Sequence, residues 1–257
     1  YCHGDEQLMQ VEFTCPHCGA TLEADSSMGG GQAFCPGCEA AVLVPHPQIR
    51  PGTTIGGFRI LRKLGSGAMG EVYLAEQLAV EREVALKLLP PAMVNSAASL
   101  ERFRQEIRLA GSLEHPNIVA VHDAGEDDGV YYLAMSYVSG QTLQARLKKG
   151  PMPEAEALDM IRDLASALAY AWNRTRLLHR DIKPANIMLT RRGDVRLMDL
   201  GISKTASEDA VLTMTGYIVG TPHYMSPEQA KADRELDFRA DVYSLGATLY
   251  HLVTGTL

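Results

Sequence analysis

Two carboxylates, an amide and a lysine crowd into the stretch Leu177–Gly201, LLHRDIKPANIMLTRRGDVRLMDLG. Asp181 follows His179-Arg180, Lys183 and Asn186 come next, and Asp199 closes the stretch. The short apolar runs Ile187–Leu189 and Val195–Met198 put Asn186 and Asp199 at their ends. Oxygen-bearing side chains in that order suit a divalent cation that carries phosphates, with one acid kept apart as a base for a hydroxyl. The plainer use of such acids is to cap turns.

A second set of ligating side chains lies near the other end. Cys15-Pro-His-Cys18 and Cys35-Pro-Gly-Cys38 hold four of the five cysteines, and Cys2 is left over as an ordinary terminal residue. Two residues between cysteines let the backbone fold into a knuckle with both sulfurs aimed at one ion. Two knuckles complete a closed, tetrahedral four-thiolate site, which is structural rather than catalytic. The alternatives are two reactive dithiols or a pair of disulfides. Metal-bound thiolates point to a reducing compartment. His17 within the first knuckle is read as solvent-facing, and His3 and His46 as uninvolved. With the glycine-rich connector Ser26–Gly31 between two short hairpins, residues 11–44 resemble a zinc ribbon. So small a segment has little core, so the resemblance implies that Zn²⁺ supplies folding free energy.

The chain of 257 residues is long enough for one large or two modest domains. Its net charge is 24 − 31 = −7, so no global field draws it to nucleic acid or anionic lipid, and the ribbon has few basic residues of its own. No apolar run reaches about 18 residues, so no membrane segment is expected within the chain, nor is a signal peptide seen. The composition fits a cytoplasmic location. Tyr1 in place of an initiator Met and the ending Gly255-Thr256-Leu257 lead us to expect a fragment, with any membrane anchor beyond Leu257. Three prolines between Pro45 and Pro51 make a stiff spacer, so residues 45–54 are read as a linker.

The elements that must position the first set follow from pattern. From Phe58 the chain alternates as a strand into Gly65-Ser66-Gly67-Ala-Met-Gly70, and Val72–Ala75 continues as a second strand. A glycine loop between two strands lets backbone N–H groups approach phosphates; a plain hairpin is the bland alternative. Val84-Ala85-Leu86-Lys87 ends an apolar strand in a lysine that needs an anionic partner. Leu100, Phe103, Ile107 and Ala110 recur at helical spacing over Ser99–Leu113, where Glu101 and Glu106 are the acids. His115–Val119 is read as the start of another strand, Val130–Val138 as the next apolar run, and Glu154–Trp172 as a long helix with Trp172 in the core.

Taken together, these motifs resemble a protein kinase. His179-Arg180-Asp181-Ile182-Lys183-Pro184-Ala185-Asn186 is similar to the catalytic loop, and Asp199-Leu200-Gly201 to the magnesium-binding triplet, with Leu in place of the usual Phe. The bacterial eukaryotic-like serine/threonine kinases are the branch it resembles, on GTPHYMSPEQ and the Thr-x-Thr ahead of it. The resemblance implies an α+β, bilobal fold over residues 55–257, with a small lobe over about 55–138 and a large lobe over about 139–257 that lacks its last helices. It implies ATP and Mg²⁺ (or Mn²⁺) as cofactors and protein Ser/Thr hydroxyls as acceptors. Asp181 would orient the acceptor proton, Lys183 would neutralise the transferring phosphoryl group, and Asn186 and Asp199 would hold the cation. Lys87, paired with Glu106, would complete the catalytic set with Thr221. Gly65, Ser66, Gly67 and Gly70 would cover the phosphates. Val72, Ala85 and Met188 would enclose the nucleotide, Met135 would guard its back pocket, and the backbone of Ser136–Val138 would bind adenine. Asp241 would steady the catalytic loop. Thr213 and Thr215 resemble autophosphorylated positions, with phosphate pairing Arg180 and the chain itself as a partner in trans. The rival expectation is a pseudokinase or scaffold bearing a zinc-ribbon interaction module.

Overall fold

The structure is a computed structural model, and it describes residues 10–25, 32–43, 49–67, 70–89, 97–200, 222–231, 233 and 235–257. Two hairpins come first: β1 (Gln10–Thr14) pairs antiparallel with β2 (Thr21–Asp25), and β3 (Gln32–Phe34) with β4 (Ala41–Leu43). Both turns are built alike. Cys15 N–H donates to Ala20 O at 2.8 Å and Gly19 N–H to Cys15 O at 3.0 Å; Cys35 N–H donates to Ala40 O at 3.0 Å and Glu39 N–H to Cys35 O at 2.8 Å. Such a tight reversal needs one left-handed residue, and Gly19 (φ +75°) and Glu39 (φ +56°) supply it. The little core between the hairpins is Cys15, Leu22, Cys35 and Val42.

The predicted linker does not stay free to its end. Gly52 N–H donates to Ile60 O and Ile60 N–H to Thr53 O, both at 2.8 Å, and Ile49 packs on the neighbouring core. The chain then forms β5 (Thr54–Ile55), β6 (Phe58–Gly67), β7 (Gly70–Gln77), β8 (Arg82–Leu88), β9 (Val121–Asp127) and β10 (Val130–Ser136), with α1 (Ala97–Gly111) inserted after β8. The strands make one antiparallel sheet in the order β5-β6-β7-β8-β10-β9. Its two edges meet, because Gly56 N–H donates to Asp127 Oδ2 at 2.6 Å. Only glycine fits there, since φ is +56° and a Cβ would collide with the Tyr132 ring.

Alternation sorts β8 by face. Val84, Leu86 and Leu88 enter the core with Phe58, Ile60 and Tyr73, which leaves Ala85 and Lys87 on the other face. The helix expected over 99–113 is α1, which buries Phe103 and Ala110 with Leu100 and Ile107 beside them. His115–Val119 is not the start of a strand. Ile118 N–H closes a turn onto His115 O, and Ile118 then makes a single parallel bridge to Leu197. Pro116 has no N–H to give a ladder, which explains the shortfall.

The second layer is mainly helical. β11 (Gly140–Thr142) leads into α2 (Leu143–Leu147), followed by α3 (Glu154–Thr175), β12 (Ile187–Thr190), β13 (Val195–Leu197), α4 (Pro227–Ala230) and α5 (Phe238–Thr254). A Cβ at Gly140 would strike Leu189 O, so only glycine lets β11 lie so close to β12. Along α3, Ala157, Met160, Leu164, Ala167 and Ala171 form one buried stripe at 3–4 spacing, and its small residues let α5 approach closely. Asp237 caps the start of α5 by accepting from Arg239 N–H, and Gly255 at φ +74° ends it. Trp172 is not core: it is half-buried beside Phe238, with the Arg176 guanidinium over its ring.

Candidate functional site

Asp241 explains why the catalytic-type loop holds its shape. It is 5% exposed, on the first turn of α5, and its Oδ2 accepts from His179 N–H and its Oδ1 from Arg180 N–H, both at 2.8 Å. A buried carboxylate is tolerated because it accepts two backbone N–H bonds. Those bonds hold Arg180 at φ +62°, a left-handed conformation that costs a non-glycine residue roughly 1–2 kcal/mol. His179 is 1% exposed and carries the connection onward. Its Nδ1 accepts from Asp181 N–H at 3.3 Å, so the proton sits on Nε2, which donates to Met198 O at 2.8 Å.

The loop therefore locks onto the residue just before Asp199. Met198 N–H also donates to Asn186 O at 3.0 Å, and Asn186 Nδ2 donates to both Asp181 O and Asp181 Oδ2 at 2.8 Å. Lys183 Nζ lies 2.8 Å from the same Asp181 Oδ2. One carboxylate thus meets an amide and an ammonium, both half-buried. Asp199 sits at φ +55° and accepts from Lys87 Nζ at 2.8 Å, with the lysine 4% exposed.

Between the two layers lies a cleft of about 460 Å³. Gly65, Val72, Ala85, Met135 and Ser136 line it from the sheet, Val138 from the segment just after β10, and Met188 and Asp199 from the other layer. Ser66, Gly67 and Gly70 belong to the β6–β7 hairpin, in register Ser66 with Glu71 and Gly67 with Gly70. Glu106 is half-buried on α1. Thr221, Thr213, Thr215 and Gly201 lie outside the described residues.

Three features escaped the sequence. The partner seen for Lys87 is Asp199, 112 residues away, whereas sequence reasoning looked to the adjacent helix. Val119 and Met198 join the cleft wall. Ser226 and Gln229 form a reciprocal cap on α4, and Gln229 Nε2 reaches Arg180 O at 2.9 Å. The spacing Ser-x-x-Gln was the available signal for that cap.

The four cysteines also come together. Their sulfurs all lie within 4.8 Å of one another, with Cys15–Cys38 at 3.7 Å and Cys18–Cys35 at 3.6 Å. None is in a disulfide. Burial raises the Cys15 thiol, but bonds from the His17 and Cys18 backbone and from nearby sulfurs outweigh it and bring it to about 6. At Cys38 the Ala40 N–H favours the thiolate, yet burial and the sulfurs of Cys18, Cys35 and Cys15 push it up to about 12. Four thiols so placed cannot all ionise alone; a cation among them removes the conflict.

The comparisons with known proteins agree with this geometry. The sequence pattern of the family described as "Protein kinase domain" matches residues 58–257. The chain is 41% identical over 203 residues to the serine/threonine-protein kinase PrkC of Bacillus subtilis, covering 79% of this chain and 31% of that protein. It is 45% identical over 216 residues to PknF of Mycobacterium tuberculosis, covering 81% of this chain and 45% of that protein. The chain thus spans less than half the length of these curated relatives. A crystal structure of the Mycobacterium tuberculosis PknI kinase domain superposes with a TM-score of 0.68 at 37% identity, over 81% of this chain and 78% of that one. Together with the loop, cleft and sheet described above, these matches establish that the chain belongs to the protein kinase domain family.

Proposed function

We propose that this chain carries the catalytic centre of an ATP-dependent serine/threonine protein kinase, fronted by a structural zinc ribbon. The observation that carries the reading is the joint hold of Asn186 and Lys183 on the Asp181 carboxylate, beside the cleft that ends at Asp199. Asp181 is placed to orient an acceptor hydroxyl and take its proton, and Lys183 to offset charge gathering on the transferred group. Asn186 spends its Nδ2 on Asp181, which leaves its Oδ1 as the atom to hold a cation along with Asp199. Oxygen donors of this kind fit Mg²⁺, which when bound offsets the charge of the nucleotide phosphates. Lys87 is held by Asp199 and ready to meet phosphate oxygens, while Met135, Val72, Ala85 and Met188 offer adenine an apolar slot. Thr213 and Thr215 complete the reading as autophosphorylation sites acting in trans.

The four-thiolate cluster suits Zn²⁺. Tetrahedral sulfurs at Zn–S bonds of about 2.3 Å lie about 3.8 Å apart, close to the 3.6 and 3.7 Å separations here. Protein substrates are the partners this chemistry needs. Among the described residues no helix is long and apolar enough to cross a membrane.

The test is transfer of labelled γ-phosphate from Mg·ATP to casein and to the protein itself. The expected result is label on Ser and Thr, falling by about 10²–10⁴-fold in Asp181→Asn, the range for a lost acid–base group. Undiminished labelling by Asp181→Asn would overturn the assignment.

A further inference from the structure

We propose that Gln229 is a positioning residue for phosphoryl transfer: its side-chain amide fixes the peptide plane that carries Asp181. The proposal rests on the reading of Asp181 given above. That plane joins the Arg180 carbonyl to the Asp181 N–H, and the structure holds both ends. The N–H donates to His179 Nδ1 at 3.3 Å, and the carbonyl accepts from Gln229 Nε2 at 2.9 Å. Asp241 fixes the preceding plane through Arg180 N–H at 2.8 Å. Between the two planes stands Arg180 at φ +62°, a conformation L-residues keep only where their surroundings over-determine it. Asp241 anchors one side of that strained residue, and Gln229 anchors the other.

The amide is suited to this work because both of its ends are used. Gln229 Oε1 accepts from Ser226 N–H at 3.2 Å, and Gln229 N–H donates back to Ser226 Oγ at 3.3 Å, closing the cap on α4. Ser226 N–H needs an acceptor and the Arg180 carbonyl needs a donor, which fixes which end is oxygen and which is nitrogen. A glutamate in the same place keeps the cap and loses the donor. A serine-to-alanine change at Ser226 weakens the cap and keeps the donor. The two roles therefore separate by mutation. The geometry also makes α4, at the far end of the threonine-rich segment 201–221, a direct neighbour of the catalytic loop, so a shift of α4 would move the plane bearing Asp181.

The experiment compares Gln229→Glu, Gln229→Met, Ser226→Ala and Asp181→Asn in the full chain, with Mg·ATP and casein, following kcat and the KM for ATP separately. If Gln229 positions Asp181, both Gln229 variants lose about tenfold in kcat while the KM for ATP stays within about twofold, because the plane is remote from the adenine slot. Ser226→Ala then keeps kcat within about threefold. If Gln229 serves only as a cap, Gln229→Glu keeps wild-type kcat or falls no further than Ser226→Ala, and the proposal is overturned. Loss of transfer in Asp181→Asn beside a fully active Gln229→Glu removes the role of Gln229 alone. Full transfer by Asp181→Asn removes the reading of the site and this proposal with it. Equal melting temperatures for wild type and Gln229→Glu, together with the kcat loss, would show that the donor and not the fold was removed.

Discussion

The ribbon and the kinase lobes solve the same problem, holding polar groups in fixed places, with opposite resources. In the lobes a continuous apolar core that includes Leu133, Leu143, Leu164, Ile187 and Leu252 supplies the stability. The site is then hung on hydrogen bonds to backbone, as Asp241 and His179 do for the loop bearing Asp181. In the ribbon two of the buried core residues are cysteines, Cys15 and Cys35, beside Val11, Leu22 and Val42. There the polar groups are the core. A cation bound among them, as proposed, would tie the two hairpins together.

The largest expected effect follows from that contrast. A strong chelator should unfold β1–β4, because structural zinc sites contribute about 10–16 kcal/mol of apparent binding free energy in small modules. Residues 55–257 should keep their amide protection, since no thiolate takes part in their core. Hydrogen exchange followed by mass spectrometry reads both regions in one experiment. Protection of Val11 and Val42 that survives zinc removal would show that the ribbon folds on its few apolar contacts alone.

Lys87→Met reverses the emphasis, removing chemistry and leaving fold. Methionine is similar in length, and the position is already buried at 4% exposure. The melting temperature should shift by only a few degrees. Phosphoryl transfer should fall by about 10²–10³-fold, as for the loss of one preorganised electrostatic contact. Transfer near the wild-type rate would mean that the Lys87–Asp199 pair is structural only.

How much of each region was legible in the sequence differs for the same reason. The Cys-x-x-Cys spacing announced the cluster of four sulfurs, because ligand geometry is local. The strands around Gly65–Gly70, the span of α3 and the loop Asp181–Asn186 were legible too, each within a short window. What joins them was not. Lys87 to Asp199, Gln229 to Arg180 and Gly56 to Asp127 link residues far apart in the chain, and no periodicity announces them. Trp172 was misread because a helix stripe tells which face is apolar but not how deeply its edge is covered.

The smallest effect lies within the ribbon, where the two knuckles differ at the residue that closes the reversal. Gly19 and Glu39 each close the reversal, at φ +75° and +56°, by donating to the first cysteine's carbonyl. Glycine takes this conformation freely, whereas an L-residue is strained there by roughly 1–2 kcal/mol. Nothing lies within 4 Å of a Cβ built at Gly19, so Gly19→Ala meets no clash and isolates that strain. Glu39→Gly should relieve it, offset in part by the extra freedom glycine gives the unfolded chain, for a net gain of about 0.5–1 kcal/mol. Because folding and metal binding are one event in such a module, the gain should appear as zinc affinity. Competition against a chelator of known affinity should show Glu39→Gly binding about two- to fivefold more tightly, and Gly19→Ala more weakly by a similar factor. If the two changes shift affinity in the same direction, the knuckles are not equivalent, and the Glu39 side chain gives the second one a contact that outweighs its backbone strain.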